Sequence, residues 1–164
     1  MILLDTNIIG TFALLRAIDL LEALFSEDEI GVVPAVYGEL VVGVREGRQF
    51  LQPAVAMLET GTLTLVALTA AEVVRQRTLP TSLDQGEAES ITLCQARGAA
   101  FVTNDRRARN YCLSNGIEVF DLIDVLRALW KLGVCSKRRV RRLVTGIEAK
   151  EGMVIKRKEE IFAR

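Results

Sequence analysis

The segment "LDQGEAESITLCQARGAAFVTNDRRAR", residues 83–109, decides the fold. Its first half reads as a helix from Asp84 to Arg97, with Asp84 and Glu87 at the N-cap and N3 spacing of a capping box. Gly98 suits the left-handed C-terminal cap. Ala99 to Thr103 is short and almost wholly apolar, as a strand covered on both faces requires. Asp105 then opens a second helix running to Asn115, which Gly116 closes. Strands and helices alternate, with connections too long for hairpins, so the units are βαβ and the sheet parallel.

The same grammar extends outward. Downstream, Ile117–Phe120 is a short strand and Leu122–Leu132 a helix, ended by Gly133. Upstream, Ile2-Leu3-Leu4 is a strand that stops at Asp5. Helices follow over Asn7–Arg16 and Asp19–Phe25, then a strand over Ile30–Val33. Pro34 fits the first turn of a helix reaching about Val44, where its missing N–H costs nothing. A helix over Gln49–Glu59, a strand over Leu63–Leu68, a helix over Ala70–Arg77 and a loop at Pro80-Thr81-Ser82 complete the series. The expected fold class is α/β: a three-layer α/β/α sandwich with a central, mainly parallel sheet. Residues 1–133 form the domain, and residues 134–164 a basic C-terminal helical extension of it.

Composition narrows the chemistry. The chain has 164 residues, half of them apolar and 5% aromatic, so the core is aliphatic and of ordinary domain size. No stretch is long and apolar enough for a membrane span, and no basic leader or cleavage signal opens the chain, so a cytoplasmic protein is expected. Cys94, Cys112 and Cys135 are odd in number, widely spaced and without a CxxC pair, which suits reduced structural thiols. There is no histidine. Ser/His/Asp triads, the usual zinc sites and a histidine base are thereby excluded. Net charge is zero but divided: residues 1–130 carry 10 Lys/Arg against 17 Asp/Glu, and residues 131–164 carry 11 against 4.

In a doubly wound sheet, active groups gather at the carboxyl ends of the strands. Asp5 and Asp105 stand at two such ends, and Glu39 and Glu87 lie on helices able to flank them. Clustered carboxylates repel one another and rarely converge without a cation. A hard divalent ion prefers oxygen ligands and keeps several waters. It polarises a phosphate oxygen and lowers the pKa of a bound water, which suffices for phosphodiester hydrolysis without histidine.

At these positions the chain resembles the PIN-domain family. "LLDTNII" at 3–9 resembles the family's opening, "YGEL" at 37–40 its second acidic position, and residues 83–109 its second half. The last is most similar to a VapC-like subgroup with a GEAEAI-type helix, and the likeness covers most of 1–132. The resemblance implies a metal-dependent endoribonuclease in which Asp5, Glu39, Glu87 and Asp105 hold Mg²⁺ or Mn²⁺. It further implies an RNA substrate, a toxin role with an antitoxin protein as partner, and a homodimer. That subgroup often carries Asp-Asp where this chain has Asn104-Asp105, so a weak or inactive PIN-fold module that binds RNA or a protein is the alternative.

Each residue also has a plain structural reading. Asp5 and Asp105 suit helix N-termini, and Asp84 with Glu87 a capping box. Glu39 suits an exposed helix face. Glu89, two residues from Glu87, reads as solvated or paired with a cation. Thr6, Asn7, Asp84, Thr103 and Asn104 are placed to orient carboxylates or hold water. Arg106, Arg107 and Arg109 follow Asp105 closely and are placed either to steer a phosphate or to pair with nearby acids. Lys137, Arg138, Arg139, Arg141 and Arg142 form a basic run, read as a solvated face, as phosphate contacts or as a contact for an acidic partner protein. A phosphatase of the receiver-like type wants Asp-x-Asp after the first strand, where this chain has Asp5-Thr6-Asn7. No GxGxxG follows that strand either.

Overall fold

The computed structural model describes residues 1–163. Five short strands form one sheet: β1 (Ile2–Leu4), β2 (Ile30–Val32), β3 (Thr64–Leu65), β4 (Ala100–Val102) and β5 (Val119–Phe120). Their order is β3-β2-β1-β4-β5 and every pair is parallel. The strands read as continuous apolar runs because helices cover both faces of the sheet. Leu3, Val32, Phe101 and Val102 have no measurable exposure. This is the expected α/β/α sandwich.

Ten helices surround the sheet among the described residues. They are α1 (Thr6–Leu14), α2 (Asp19–Leu24), α3 (Pro34–Arg45), α4 (Gln52–Glu59) and α5 (Ala70–Gln76). Then come α6 (Gln85–Arg97), α7 (Arg106–Ser114), α8 (Leu122–Lys131), α9 (Lys137–Glu151) and α10 (Lys158–Phe162). Pro34 sits in the first turn of α3, and Gly98 ends α6 with φ +68°. α6 packs against α3, α5 and α7, so it links the elements around β1 to those around β4. α9 packs on α1 and α8, and α10 on α8, bringing Val140, Leu143, Val144, Ile147 and Ile161 into the core.

Several boundaries differ from the sequence expectation. The strand expected over Leu63–Leu68 pairs only at Thr64 and Leu65, because it is the sheet edge and the chain turns off to cap α5 at Thr69. The helix expected to run to Arg16 stops at Leu14, and Arg16 itself has φ +54°. The helix expected from Gln49 begins as a 3-10 turn, Gln49–Leu51. No helix among the described residues is long and apolar enough to cross a membrane. Cys94, Cys112 and Cys135 are free thiols. Burial pushes Cys94 up to about 12 and Cys112 up to about 11, which makes both poor nucleophiles.

Candidate active site

The strand order reverses its direction of growth between β1 and β4, and the crevice past their carboxyl ends is where such sheets bind ligands. Asp5 directly follows β1, and its amide donates to the Val102 carbonyl at 3.0 Å, which clamps it to the neighbouring strand. Thr103, directly after β4, is tied to Phe120 of β5 by its own amide at 3.0 Å. The sheet ladder thus fixes the backbone of both residues before any side chain is considered.

Asp5 is 6% exposed and accepts three hydrogen bonds. The Thr6 amide donates to Oδ1 at 2.8 Å, Asn7 Nδ2 to Oδ2 at 2.8 Å, and Thr103 Oγ1 to Oδ2 at 2.7 Å. Asp5 is also the N-cap of α1, so its structural and candidate functional readings coincide. Burial pushes its pKa up to about 6, with the charges of Asp84 and Glu39 adding to the rise, while the Thr103 and Thr6 donors oppose it.

Glu39 projects from α3 and accepts a hydrogen bond from the Thr6 hydroxyl. Glu87 closes the capping box of α6: the Glu87 amide donates to Asp84 Oδ1 at 2.8 Å, and the Asp84 amide to Glu87 Oε2 at 2.9 Å. Burial first, then the charges of Asp84, Asp105 and Asp5, push Glu87 up to about 7. Asp105 caps α7 itself, leaving Thr103 and Asn104 outside that role; its Oδ1 accepts the Arg107 and Ala108 amides at 2.8 and 3.0 Å. Burial acts upward on Asp105 too. The Ala108 and Arg107 amides, the Arg107 charge and a hydrogen bond with Glu87 outweigh it, and its pKa lies below the usual carboxylate range.

Asp5, Glu39, Asp84, Glu87 and Asp105 line a single cleft of about 510 Å³, joined by Thr6 and Asn7. A fold that brings five acids from four separate elements into one hollow, with no histidine or cysteine among them, presents an oxygen-only donor set. That set fits a hard divalent cation. Among the described residues, no three acidic side chains stand close enough to hold an ion by themselves. The reason is visible in the bonds already made: Glu39 is turned to Thr6, Glu87 to the Asp84 amide, and one Asp105 oxygen to α7. An ion held through water by one or two carboxylates is the mode this arrangement accommodates.

Over residues 1–160 the sequence matches a family model described as a PIN domain. The chain belongs to the PIN-domain family. No curated protein matches it. PIN domains are typically nucleases, that is, hydrolases acting on nucleic acid, and they generally use divalent metal ions. The acid cleft of this PIN domain is the place in the fold suited to that chemistry.

The structure separates the remaining sequence candidates. Asn104 does not line the acid cleft; its amide donates to Asn7 Oδ1 at 3.3 Å, and with Arg106 it borders a neighbouring hollow. The α9 basic residues also lie outside the cleft. Lys137 Nζ sits 4.3 Å from the Trp130 ring centroid and donates to the Phe162 carbonyl, Arg141 lies over Phe162, and Arg139 pairs with Asp19 at 3.7 Å. Glu89 is neither solvated nor paired with a cation. It is buried, and its Oε2 accepts the Ala35 amide at 2.9 Å, satisfying an orphan donor at the start of α3.

Four contributors are absent from the sequence reading. Glu151, at the end of α9, lines the cleft and accepts a hydrogen bond from Thr11 Oγ1 at 2.6 Å. Gly86 lets α6 approach α3: a Cβ there would lie 3.1 Å from Val36 Cγ2 and 3.8 Å from Glu39 Oε1. Arg48 and Phe50 also line the cleft. Only the last pair had a readable signal, a cation beside an aromatic in Gly47-Arg48-Gln49-Phe50.

Proposed function

We propose that this PIN domain is a metal-dependent endoribonuclease, with Asp5, Glu39, Glu87 and Asp105 as the carboxylates that hold Mg²⁺ or Mn²⁺. The observation that carries the reading is the convergence of these acids at the sheet's switch point, with Asp5 and Glu87 both pushed upward by burial and by the charges of neighbouring acids. Bound there, a divalent ion supplies Lewis acidity and a water of lowered pKa. The chain's own groups do the positioning. Thr103, Asn7 and the Thr6 amide lock the Asp5 carboxylate in one orientation. Burial and the neighbouring acids push the Glu87 carboxyl up to about 7, and a cation in the cleft would favour its charged form. A toxin role, with an antitoxin chain covering the cleft and the toxin acting as a homodimer, extends the same reading, as does treating residues 134–164 as an extension of one domain.

The deciding experiment is cleavage of single-stranded RNA in Mn²⁺ by the wild type and by Asp5→Asn, which keeps the side chain's size and removes the charge. Activity should fall by at least ~100-fold, since weakening even the groups behind a metal ligand costs about 10–100-fold. Full metal-dependent cleavage by the variant would sink the assignment. A second reading, a PIN-fold module that binds RNA or protein without cutting, is favoured by the lack of a ready-made ion cage among the described residues. Calorimetric titration with Mn²⁺ separates the two: saturable binding supports the nuclease, and RNA binding without any Mn²⁺ binding supports the module.

A further inference from the structure

We infer that Arg48 and Phe50 form a nucleotide subsite beside the acid cleft, taking one unstacked base and one backbone phosphate of single-stranded RNA; this rests on the nuclease reading above. The cleft is lined by six carboxylates, Glu151 included, and by a single guanidinium, that of Arg48. A polyanion entering such a hollow needs positive charge to offset the acids, and among the described lining residues only Arg48 provides it. Phe50 is the one aromatic in the same wall and is only partly buried. At about 510 Å³ the cleft exceeds what a phosphate group fills and falls in the range that holds a small organic ligand. An aromatic ring with an adjacent guanidinium is the pairing that holds single-stranded nucleic acid, by base stacking and phosphate contact.

The wall that carries the pair is built to hold its shape. Gly47, at φ +98°, turns the chain between α3 and the 3-10 segment, and the Arg48 amide donates back to the Gly43 carbonyl at 2.9 Å. Gln49 Nε2 donates to the Val44 carbonyl at 3.1 Å, and Leu51, 2% exposed, anchors the segment in the core. Gly43 is the seat for the arginine. A Cβ at that position would lie 3.2 Å from Arg48 Cζ and 2.5 Å from Leu51 Cδ1, so the guanidinium rests against bare helix backbone. Its Nη2 donates to Glu46 Oε2 at 3.0 Å on a half-exposed surface, a bond a phosphate can displace because exposed ion pairs contribute little.

The test uses the whole chain with a short fluorescent single-stranded RNA, read by anisotropy in metal-free buffer and by cleavage kinetics in Mn²⁺. Phe50→Leu keeps the apolar volume and removes the ring; Phe50→Tyr restores it; Arg48→Gln removes the charge. The expected result is RNA binding weakened about 5- to 150-fold in Phe50→Leu and recovered in Phe50→Tyr. Arg48→Gln should lower the slope of log affinity against log salt by about 0.7, the loss of one phosphate contact. In kinetics, KM should rise while kcat changes little. Melting curves matching the wild type show that the variants are folded. If the wild type binds and cuts RNA while Phe50→Leu and Arg48→Gln behave identically to it, the subsite is wrong and the nuclease reading stands. If the wild type neither binds nor cuts RNA, both fall together.

Discussion

At the scale of single residues, the decisive feature is a set of carboxylates whose folding roles and candidate catalytic roles are the same bonds. Asp5 and Asp105 cap helices, Glu87 closes a capping box, and all three also face the cleft. The arrangement has an electrostatic cost that makes a pH prediction. The Asp5 and Glu87 carboxyls rise from ordinary values of 3.8 and 4.5 to about 6 and about 7 on folding. An acid whose folded pKa is raised favours the folded state most fully below its unfolded pKa, and that contribution is lost as pH rises through the folded value. The metal-free protein should therefore melt several degrees lower near pH 8 than near pH 5, given about 2–4 °C per kcal/mol in a chain of this size. Glu72, held near 2 by its hydrogen-bonded pairing with Arg97, acts in the opposite sense, but only below its ordinary 4.5. Adding Mn²⁺ near pH 8 should recover the lost degrees by mass action, and Asp5→Asn should flatten the pH slope. A melting temperature independent of both pH and Mn²⁺ over that range would contradict the account of the cleft.

At the scale of elements, the site depends on how closely α3 and α6 approach, because Glu39 rides on one and Glu87 on the other. Gly86 sets that approach, with buried Glu89 bonded to the Ala35 amide as a second tie between the two helices. Alanine is intrinsically better than glycine in a helix by about 1 kcal/mol. Here the new methyl would meet Val36, which has no exposure and, being β-branched, little freedom to turn. Overpacking of this kind costs about 1–3 kcal/mol. Gly86→Ala should thus fail to stabilise the protein in thermal denaturation and should weaken Mn²⁺ affinity measured by calorimetry. A more stable variant with unchanged Mn²⁺ binding would show that the helix spacing does not govern the site. The sequence displayed this glycine within "GEAES" but gave no hint of its neighbour, since Val36 lies fifty positions away.

At the scale of the whole molecule, the basic C-terminal segment is held chiefly by apolar burial. Val140, Leu143, Val144, Ile147, Ile155 and Ile161 are all at or below 7% exposure. At roughly 1.5–3 kcal/mol for each buried side chain, their sum matches or exceeds the ~5–15 kcal/mol by which a domain is stable at all. The exposed ion pair that accompanies them, Arg139 with Asp19, is worth less than about 1 kcal/mol. Deleting residues 134–164 should therefore abolish cooperative folding. Trp130, the single tryptophan, reports it: its indole Nε1 donates to the Ile161 carbonyl at 2.7 Å and becomes solvated when that segment is gone. A truncated chain that melts sharply at the wild-type temperature would make residues 134–164 a separate appendage.

What the sequence by itself determined is what depends on near neighbours along the chain. Alternating apolar runs, a proline at a helix start and Gly98 at a helix end specify strands and helices through short-range sterics and backbone bonding, and they gave the α/β class and the strand-end positions of Asp5 and Asp105. Motif order gave the family. The tertiary structure alone decided the rest. Glu89 reads as solvated or paired with a cation because it stands two residues from Glu87, yet an amide 54 residues away takes its charge inward. Glu151 lies in a basic tail that no local pattern ties to the acids, yet α9 packs on α1 and delivers it to Thr11. Arg48 and the acids it shares a cleft with come from segments that nothing in local sequence relates. Proximity of that kind is fixed by the sheet order and by helix packing, which minimise exposed apolar surface over the whole chain and have no signature in any one stretch of it.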